Sequence, residues 1–267
     1  MRRRVLVPFL ICLNNVVVFG IIQESKLSVQ EKYYQVISKP YQNACTILKR
    51  VSGTWAPKCG FNDGEKFICM ETLYRDLQNG TCLVYSFGLQ DNWDFEVFMA
   101  NLGCTVHAYD PSTYWKRPEN SYLANLHYHP IGIGLDDGDL PLKNDKNQEE
   151  LLPVKTLKSL LKANGDWGKS ISYLKMDVEG NEIWCLNQWL KSGVMQNVRQ
   201  FGIEMHNTVI ERHTLKKTFK NMVNFIASIG EKYGLHLVAT NPNLCQGKEF
   251  FYYPFHDLLF VKNKLTF

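Results

Sequence analysis

Two predicted strands of this chain each end in residues that can exchange protons or bind a cation. The strands are residues 171–176 and 200–203, and the residues that follow them include Asp177, Glu179, Glu182, Glu204 and His206. The carboxyl ends of neighbouring parallel strands face one cleft, so these side chains are expected to meet there. Like charges repel when they are close, which makes such a concentration costly. Carboxylates and an imidazole so arranged predict general-base chemistry or a divalent cation site.

A second candidate site lies in the stretch from Cys82 to Asp110. A buried strand, 82–87, leads into a turn at Gly88, an amphipathic helix and a second strand, 105–109. In such units a ligand lies over the glycine turn, and an acid about 20 residues later accepts hydrogen bonds from ribose hydroxyls. A full dinucleotide fingerprint has three glycines, and only Gly88 is present here. The alternative is that Gly88 simply ends a strand and Asp110 opens a loop.

The helix of this unit is indicated by apolar residues three and four positions apart, which would share one face. They are Phe95, Phe98, Met99 and Leu102. Asp91 and Asn92 are the expected N-cap residues, because their side chains accept hydrogen bonds from free backbone N–H groups.

The rest of the chain continues the alternation of strands and helices. Further strands are predicted at 126–133, 171–176, 200–203, 235–239 and 258–261, and helices at 156–163, after 182 and at about 209–230. The polar segment 136–150 is expected to be an exposed connection. A short link permits an antiparallel return of the last strand. This order predicts an α/β, Rossmann-like fold, with a mostly parallel seven-stranded sheet, helices on both faces and an antiparallel closing strand.

An extension precedes this sheet. Residues 23–50 are polar and mildly helical and are expected to form a stem. Residues 55–70 predict a hairpin, with its turn at 62–64 and a returning strand at 66–69. The three predicted regions of the chain are therefore 1–22, 23–80 and 81–267.

The first of these regions has the composition of a targeting segment. Three arginines at positions 2–4 precede an almost wholly apolar run at 5–22. This order predicts a secretory signal peptide, cleaved after Gly20, or a signal anchor, so the rest of the chain would be secreted or lumenal. Membrane contact is expected only through this segment. The formal charge of +4 includes the three arginines, so the remainder is nearly neutral and offers no basic surface for nucleic acid.

Seven of the eight cysteines follow the targeting segment, and an odd number leaves at least one thiol without a partner in the chain. Cys82, Cys104 and Cys185 fall on predicted core elements, where a free cysteine acts as a small apolar residue. Disulfides are therefore expected among the others, which are Cys45, Cys59, Cys69 and Cys245. No Cys-x-x-Cys spacing is present, so a structural zinc site is not predicted.

Five short segments carry a resemblance to a known family. They are Val84-Tyr85-Ser86-Phe87-Gly88, Trp93-Asp94-Phe95-Glu96, His107-Ala108-Tyr109-Asp110-Pro111, Thr156-Leu157 and Tyr173-Leu174-Lys175-Met176-Asp177-Val178-Glu179-Gly180. With Glu204 and His206 behind them, these segments resemble the methyltransferase-like secreted or Golgi-type proteins related to the FkbM methyltransferases. The likeness runs from about residue 55 to the end of the chain.

The resemblance implies a class I methyltransferase that uses S-adenosyl-L-methionine as its cofactor. Gly88 would lie under the methionine portion, Asp110 would hold the ribose, and Gly132 and Ile133 would border the adenine. Gln90 stands where the general class I pattern has a second glycine. The implied acceptor is a small molecule or a glycan that carries a hydroxyl group.

Methyl transfer to oxygen requires an acceptor that is aligned and loses its proton. Asp177 is the predicted base or orienting group, and Glu179 and His206 are rivals for that role. The expected cofactor set contains no metal. In the alternative, Asp177, Glu204 and His206 would bind Mg²⁺ or Mn²⁺ as ligands from adjacent strand ends.

The predicted function is S-adenosylmethionine-dependent O-methylation in the secretory pathway. Residues 1–22 would be the signal, 23–80 the stem and hairpin, and 81–267 the methyltransferase domain. Asn79, in an Asn-Gly-Thr sequon at a predicted turn, would carry a glycan. The alternative is a catalytically inactive secreted binding module on the same fold, because the cofactor would have to be imported there and the glycine turn is reduced.

Overall fold

The computed structural model describes most, but not all, of the residues of this chain. The described residues are 9–13, 16–20, 27–41, 44–56, 61–112, 117–143, 148–180, 182–206, 212–242 and 255–262. The strands are β1 (Phe9–Leu13), β2 (Val16–Gly20), β3 (Leu48–Val51), β4 (Thr54–Ala56), β5 (Phe61–Asp63), β6 (Lys66–Cys69), β7 (Leu83–Phe87), β8 (Thr105–Tyr109), β9 (Leu126–His129), β10 (Gly132–Ile133), β11 (Gly138–Lys143), β12 (Glu149–Lys155), β13 (Tyr173–Met176), β14 (Gln200–His206), β15 (Leu235–Pro242) and β16 (Phe255–Lys262). The α-helices are α1 (Val29–Ile37), α2 (Met70–Gln78), α3 (Asp94–Asn101), α4 (Leu157–Ala163), α5 (Glu182–Ser192) and α6 (Arg212–Tyr233).

A seven-stranded sheet forms the centre of the protein. Its strand order is β15-β16-β14-β13-β7-β8-β9. The five strands from β14 to β9 are parallel, while β16 runs antiparallel to both β14 and β15. The predicted α/β, Rossmann-like sheet with an antiparallel closing strand is therefore confirmed.

Apolar side chains cover both faces of this sheet. Alternate residues of β7 belong to different core clusters, with Leu83 and Tyr85 in one and Val84 in the other. The first cluster includes the buried residues of α4, α5 and α6, and the second includes those of α2 and α3. Burial on both faces explains why the parallel strands read as continuous apolar runs.

The helix between β7 and β8 begins later than the sequence suggested. Its N-cap is Trp93, so the prediction of Asp91 or Asn92 as the cap was wrong. The preceding turn uses these residues instead, since the backbone N–H of Asn92 donates to the carbonyl of Leu89. The Asn92 side chain then accepts a hydrogen bond from the N–H of Asp94 at 3.1 Å.

The N-terminal extension packs directly on the central sheet. In the predicted hairpin, β6 pairs with β3 and β4 pairs with β5, so the expected return of 66–69 along the strand at 55 was wrong. The side-chain amide of Gln200 on β14 both accepts from the N–H and donates to the carbonyl of Cys69, at 2.8 and 3.0 Å. The hydroxyl of Tyr173 on β13 donates to the carbonyl of Phe67. The extension therefore shares its polar contacts with two central strands.

A smaller sheet replaces two predicted features. The expected strand 126–133 is divided, because β9 ends before Pro130, which has no backbone N–H to continue the ladder. Gly132 and Ile133 form β10, which pairs with β12 in a three-stranded sheet of order β10-β12-β11. In the segment 136–150, expected to be an exposed connection, residues 136–141 and 148–150 are exposed as predicted, but the segment contains β11 and the start of β12.

Two disulfides are present in the described part of the chain. One joins Cys45 and Cys69, as the sequence suggested for that group of cysteines. The other joins Cys82 and Cys104, so the expectation that these two are free was wrong. The cause is the strand register: Leu83 lies opposite Thr105, which places the preceding cysteines side by side, with Cα atoms 4.6 Å apart. Cys185 is free and buried, as expected.

Part of the targeting segment is also described. Strands β1 and β2 pair with each other in an antiparallel hairpin. Among the described residues, no helix has the length and apolar character needed to cross a membrane. The predictions that involve Cys59 and Cys245 lie outside the described residues.

Candidate functional site

A cleft of about 650 Å³ opens at the carboxyl ends of the central strands. Six of the residues predicted from the sequence line it, namely Gly88, Asp110, Gly132, Ile133, Asp177 and Glu179. His206 and Glu204 are buried and are not among the residues that line the cleft, although both lie close to Asp177. The structure therefore brings the predicted cofactor residues and the predicted acids to one place.

Gly88 is fixed by its contact with the end of strand β13. Its φ angle is +83°, and a Cβ atom there would overlap the carbonyl oxygen of Asp177. Its own carbonyl accepts a hydrogen bond from the Lys175 ammonium at 2.7 Å. Both the left-handed conformation and the close approach require glycine.

Asp110 holds the turn that follows Gly88. One carboxylate oxygen accepts hydrogen bonds from the N–H groups of Leu89 and Gln90 at 2.7 and 2.9 Å. The other accepts one from the N–H of Ser112 at 2.8 Å. A carboxylate has about four lone-pair sites, so these bonds leave room for further donors such as ribose hydroxyls.

Lys66 lies at the centre of the acidic group. It is only 3% exposed, and its ammonium lies 2.8 Å from Asp257, 2.9 Å from Glu204 and 3.1 Å from Asp177. Three carboxylates from β14, β16 and the end of β13 therefore share one cation contributed by β6 of the extension. Removing one partner from a buried ion pair leaves an uncompensated charge, which costs about 3–5 kcal/mol.

His206 is oriented by a second buried acid. Its Nδ1 lies 2.8 Å from an oxygen of Glu182, which is fully buried. The same oxygen accepts hydrogen bonds from the N–H groups of Val178 and Gly180. The other ring nitrogen, Nε2, faces Glu179 at 3.6 Å and Asp177 at 3.8 Å. Glu182 therefore fixes both the imidazole and the loop that carries the two cleft acids.

The charges and burial around Lys66 and His206 shift the pKa values of neighbouring acids in opposite directions. Burial disfavours ionised Asp177, but the positive charges of Lys66, Lys175 and His206 outweigh it and lower the pKa of Asp177. Burial and the nearby charge of Asp177 raise the pKa of Glu204.

Two other groups beside the cleft have raised pKa values. Burial would lower the pKa of His206, but the hydrogen bond and charge of Glu182 raise it to about 9. Burial raises the pKa of Glu179.

Two residues at the cleft have an uncommon backbone conformation. Gln90 and Glu179 have φ angles of +47° and +56°, and the amide of Gln90 donates to the carboxylate of Glu179 at 2.7 Å. Left-handed conformations of residues other than glycine cost free energy and are concentrated at functional sites. The position of Gln90, where the class I pattern has a second glycine, is thus used for a bond across the cleft.

The structure alters the predicted metal-ligand set. One oxygen of Glu204 is bonded to Lys66, and the other lies 4.0 Å from His206. Glu179 takes its place: ligand atoms of Asp177, Glu179 and His206 all lie within 4.8 Å of one another.

The sequence did not point to Lys66, because the partners of this residue are 111 to 191 positions away. The one available signal was a lysine directly before the apolar pair Phe67 and Ile68.

The cleft is strongly acidic. Among the described residues that line it there are seven carboxylates and no lysine, arginine or histidine. The acids are Asp110, Asp136, Asp137, Asp139, Glu150, Asp177 and Glu179. Such a lining favours a ligand with positive charge or with hydrogen-bond donors and disfavours an anion.

The chain shares its sequence pattern with known proteins. Residues 23–249 match the model of a family described as a methyltransferase domain. The probable methyltransferase-like protein 24 of Homo sapiens is 31% identical over 143 residues, and that of Rattus norvegicus is 30% identical over 143 residues. These alignments cover 52% of this chain but only 37% and 38% of the two relatives, so the chain spans less than two fifths of their length.

Solved structures also overlap this chain. The O-methyltransferase from Bacillus cereus in complex with SAH covers 90% of this chain and 94% of its own, with 12% identity and a TM-score of 0.37. A likeness at this level carries no argument about function, and the fold is defined by the strand order described above.

Replacing Lys66 by Met should destabilise the protein by about 3 kcal/mol or more, because the buried Glu204 and Asp257 and the partly buried Asp177 would lose their shared cation. Urea unfolding of the variant and the parent protein measures the difference. Lys49→Met, on the exposed surface of β3, is the matched control and should change stability by no more than about 0.5 kcal/mol. Equal unfolding midpoints for Lys66→Met and the parent would show that Lys66 does not hold these strand ends together.

Proposed function

This chain belongs to the methyltransferase-domain family, and from that membership we propose that its cleft binds S-adenosylmethionine and that the enzyme methylates a hydroxyl group. The observation that carries this proposal is the meeting of Gly88, Asp110 and Asp177 at one acidic cleft. S-adenosylmethionine supplies a methyl group on a positively charged sulfur. A cleft lined by carboxylates, with no lysine, arginine or histidine among its described lining residues, fits such a cation.

Different residues of the cleft would bind different parts of this cofactor. Gly88 lets the turn backbone approach the ligand closely, and Asp110 offers its remaining lone pairs to ribose hydroxyls. Gly132 and Ile133 provide the wall that would border the adenine. These assignments follow the resemblance to FkbM-related methyltransferases, which is itself part of the proposal.

The two cleft acids would act differently on the acceptor. Asp177 has a lowered pKa, so it stays ionised and is a weak proton acceptor, and we assign it the role of orienting the hydroxyl. Glu179 has a raised pKa and a side chain that is 60% exposed, so it can reach an acceptor and take its proton. His206 lies behind both acids, with its Nε2 3.6 Å from a Glu179 oxygen and 3.8 Å from an Asp177 oxygen.

The acceptor is proposed to be a neutral small molecule or glycan. Carboxylates on the cleft walls can accept hydrogen bonds from hydroxyl groups and would repel phosphate, sulfate or carboxylate substituents. Trp184 lines the same cleft and is 61% exposed, so it offers a flat apolar surface to a ring.

The secretory pathway is proposed as the place of action. The basic and apolar N-terminal segment supports it. So do the Cys45–Cys69 and Cys82–Cys104 disulfides, since disulfides persist in oxidising compartments. Asn79 is exposed at the end of α2, where a glycan could be attached.

Titration of the protein with S-adenosylmethionine tests the cofactor site. Asp110→Asn should weaken binding at least tenfold, because the amide loses an ionic acceptor and cannot keep all the turn hydrogen bonds. Asp91→Asn, an exposed change on the same turn, should leave the dissociation constant unaltered. If Asp110→Asn binds as tightly as the parent protein, Asp110 only supports the turn. A folded parent protein that does not bind at all would favour the inactive binding module.

Transfer of a radiolabelled methyl group to neutral sugars, phenols and alcohols tests the chemistry. Glu179→Gln should lower the transfer rate by about a hundredfold or more while binding of the cofactor is retained, because the amide cannot take the proton. Glu149→Gln, an exposed acid outside the cleft lining, is the control. Transfer that occurs only to amines, or an unchanged rate in Glu179→Gln, would contradict this assignment.

Expression of the full chain in mammalian cells tests the location. Glycosidase treatment should lower the apparent mass of the parent protein, because N-linked glycans are attached to exposed sequons in the lumen. The same treatment should leave the apparent mass of Asn79→Gln unchanged, because this variant lacks the acceptor side chain. An unglycosylated protein with reduced cysteines in the cytosol would argue against the secretory pathway.

A further inference from the structure

Three potential ligand atoms converge on the inner wall of the cleft. His206 Nε2 lies 3.6 Å from a Glu179 oxygen and 3.8 Å from an Asp177 oxygen. These separations are longer than hydrogen bonds. Neighbouring ligands of an octahedral ion with bonds of about 2.1 Å lie about 3 Å apart. The three atoms lie within 4.8 Å of one another, so movements of about 1 Å by each would close the site.

The imidazole of His206 is oriented by a carboxylate, as the imidazole of a metal-binding histidine usually is. Histidine ligands generally donate their second ring N–H to a carboxylate, which fixes the ring and directs the other nitrogen to the ion. Glu182 is that carboxylate here, at 2.8 Å from Nδ1, and it is fully buried. Because Glu182 also accepts from the N–H groups of Val178 and Gly180, it fixes the loop that carries Glu179.

The charges of the surroundings favour a cation. Among the described residues, five carboxylates contact the two bases Lys66 and His206. They are Asp177, Glu179, Glu182, Glu204 and Asp257. The carboxylates therefore outnumber the two bases by five to two in a largely buried place. Uncompensated buried charge is costly, and a dication beside the acids would offset it.

From these observations we propose that Asp177, Glu179 and His206 bind a divalent cation. Two carboxylates and an imidazole suit a first-row ion such as Mn²⁺. Asp177 and Glu179 line the cleft, so the ion can enter from solvent, and Glu204 is replaced as a ligand because it is bonded to Lys66.

The importance of this ion for catalysis rests on the proposed function. It would place positive charge beside the acceptor oxygen and so lower the pKa of the acceptor's hydroxyl group.

Direct binding of Mn²⁺ tests the inference without an acceptor. The full-length protein is freed of metal by a chelator and titrated with Mn²⁺, with free ion measured by electron paramagnetic resonance. One ion should bind per chain. Glu179→Gln removes an exposed ligand that no core packing depends on, and it should raise the dissociation constant at least tenfold. Glu149→Gln, an exposed acid outside the cleft, should bind as the parent protein does.

Titration of the same samples with S-adenosylmethionine separates the two proposals. Cofactor binding without Mn²⁺ binding would overturn the cation site and leave the proposed function intact. Mn²⁺ binding that is equal in Glu179→Gln and the parent would place the ion elsewhere and also overturn the inference. Mn²⁺ binding weakened by Glu179→Gln would support the cation site even if the cofactor failed to bind.

Discussion

The buried ammonium group of Lys66 is the interaction on which the site depends. Three strand ends bring Asp177, Glu204 and Asp257 within about 3 Å of this one group. Without it, like charges would repel at the edge of the sheet where β13, β14 and β16 must lie side by side. Because Lys66 belongs to β6, the extension supplies the cation that pairs with one of the cleft acids, Asp177. The Gln200 bonds to Cys69 and the Tyr173 bond to Phe67 fix the strand that carries the lysine.

A second constraint joins the turn at Gly88 to the acids. Gly88 passes so close to the carbonyl of Asp177 that no side chain fits between them, and Lys175 bonds the Gly88 carbonyl from the same strand. The turn and the acid therefore cannot move independently. Asp110 closes the other side of this turn through three backbone N–H groups. A rigid turn between two acids is suited to binding that must align a donor with an acceptor.

Features that depend on a local sequence pattern were predicted correctly, and features that depend on contacts between distant segments were not. Apolar runs and helical spacing located the central strands and the helices, and their alternation predicted the parallel sheet. The pairing of β6 with β3, the Cys82–Cys104 disulfide and the pairing of β10 with β12 depend on register between distant segments. The acids at 177–182 were found because they are adjacent in sequence. Lys66 was not predicted, because the residues that it contacts lie on other strands, far away in the sequence.

The same lysine gives two neighbouring acids different chemistry. Asp177 lies 3.1 Å from Lys66, so its pKa falls and it stays ionised at neutral pH. Glu179 is two residues further on, has no ion pair with Lys66 among the described contacts, and has a raised pKa. Environments that push the pKa values of two acids apart mark out a fixed charge and a proton acceptor. The contact with Lys66 thus helps to keep Asp177 ionised, while burial without such a contact raises the pKa of Glu179.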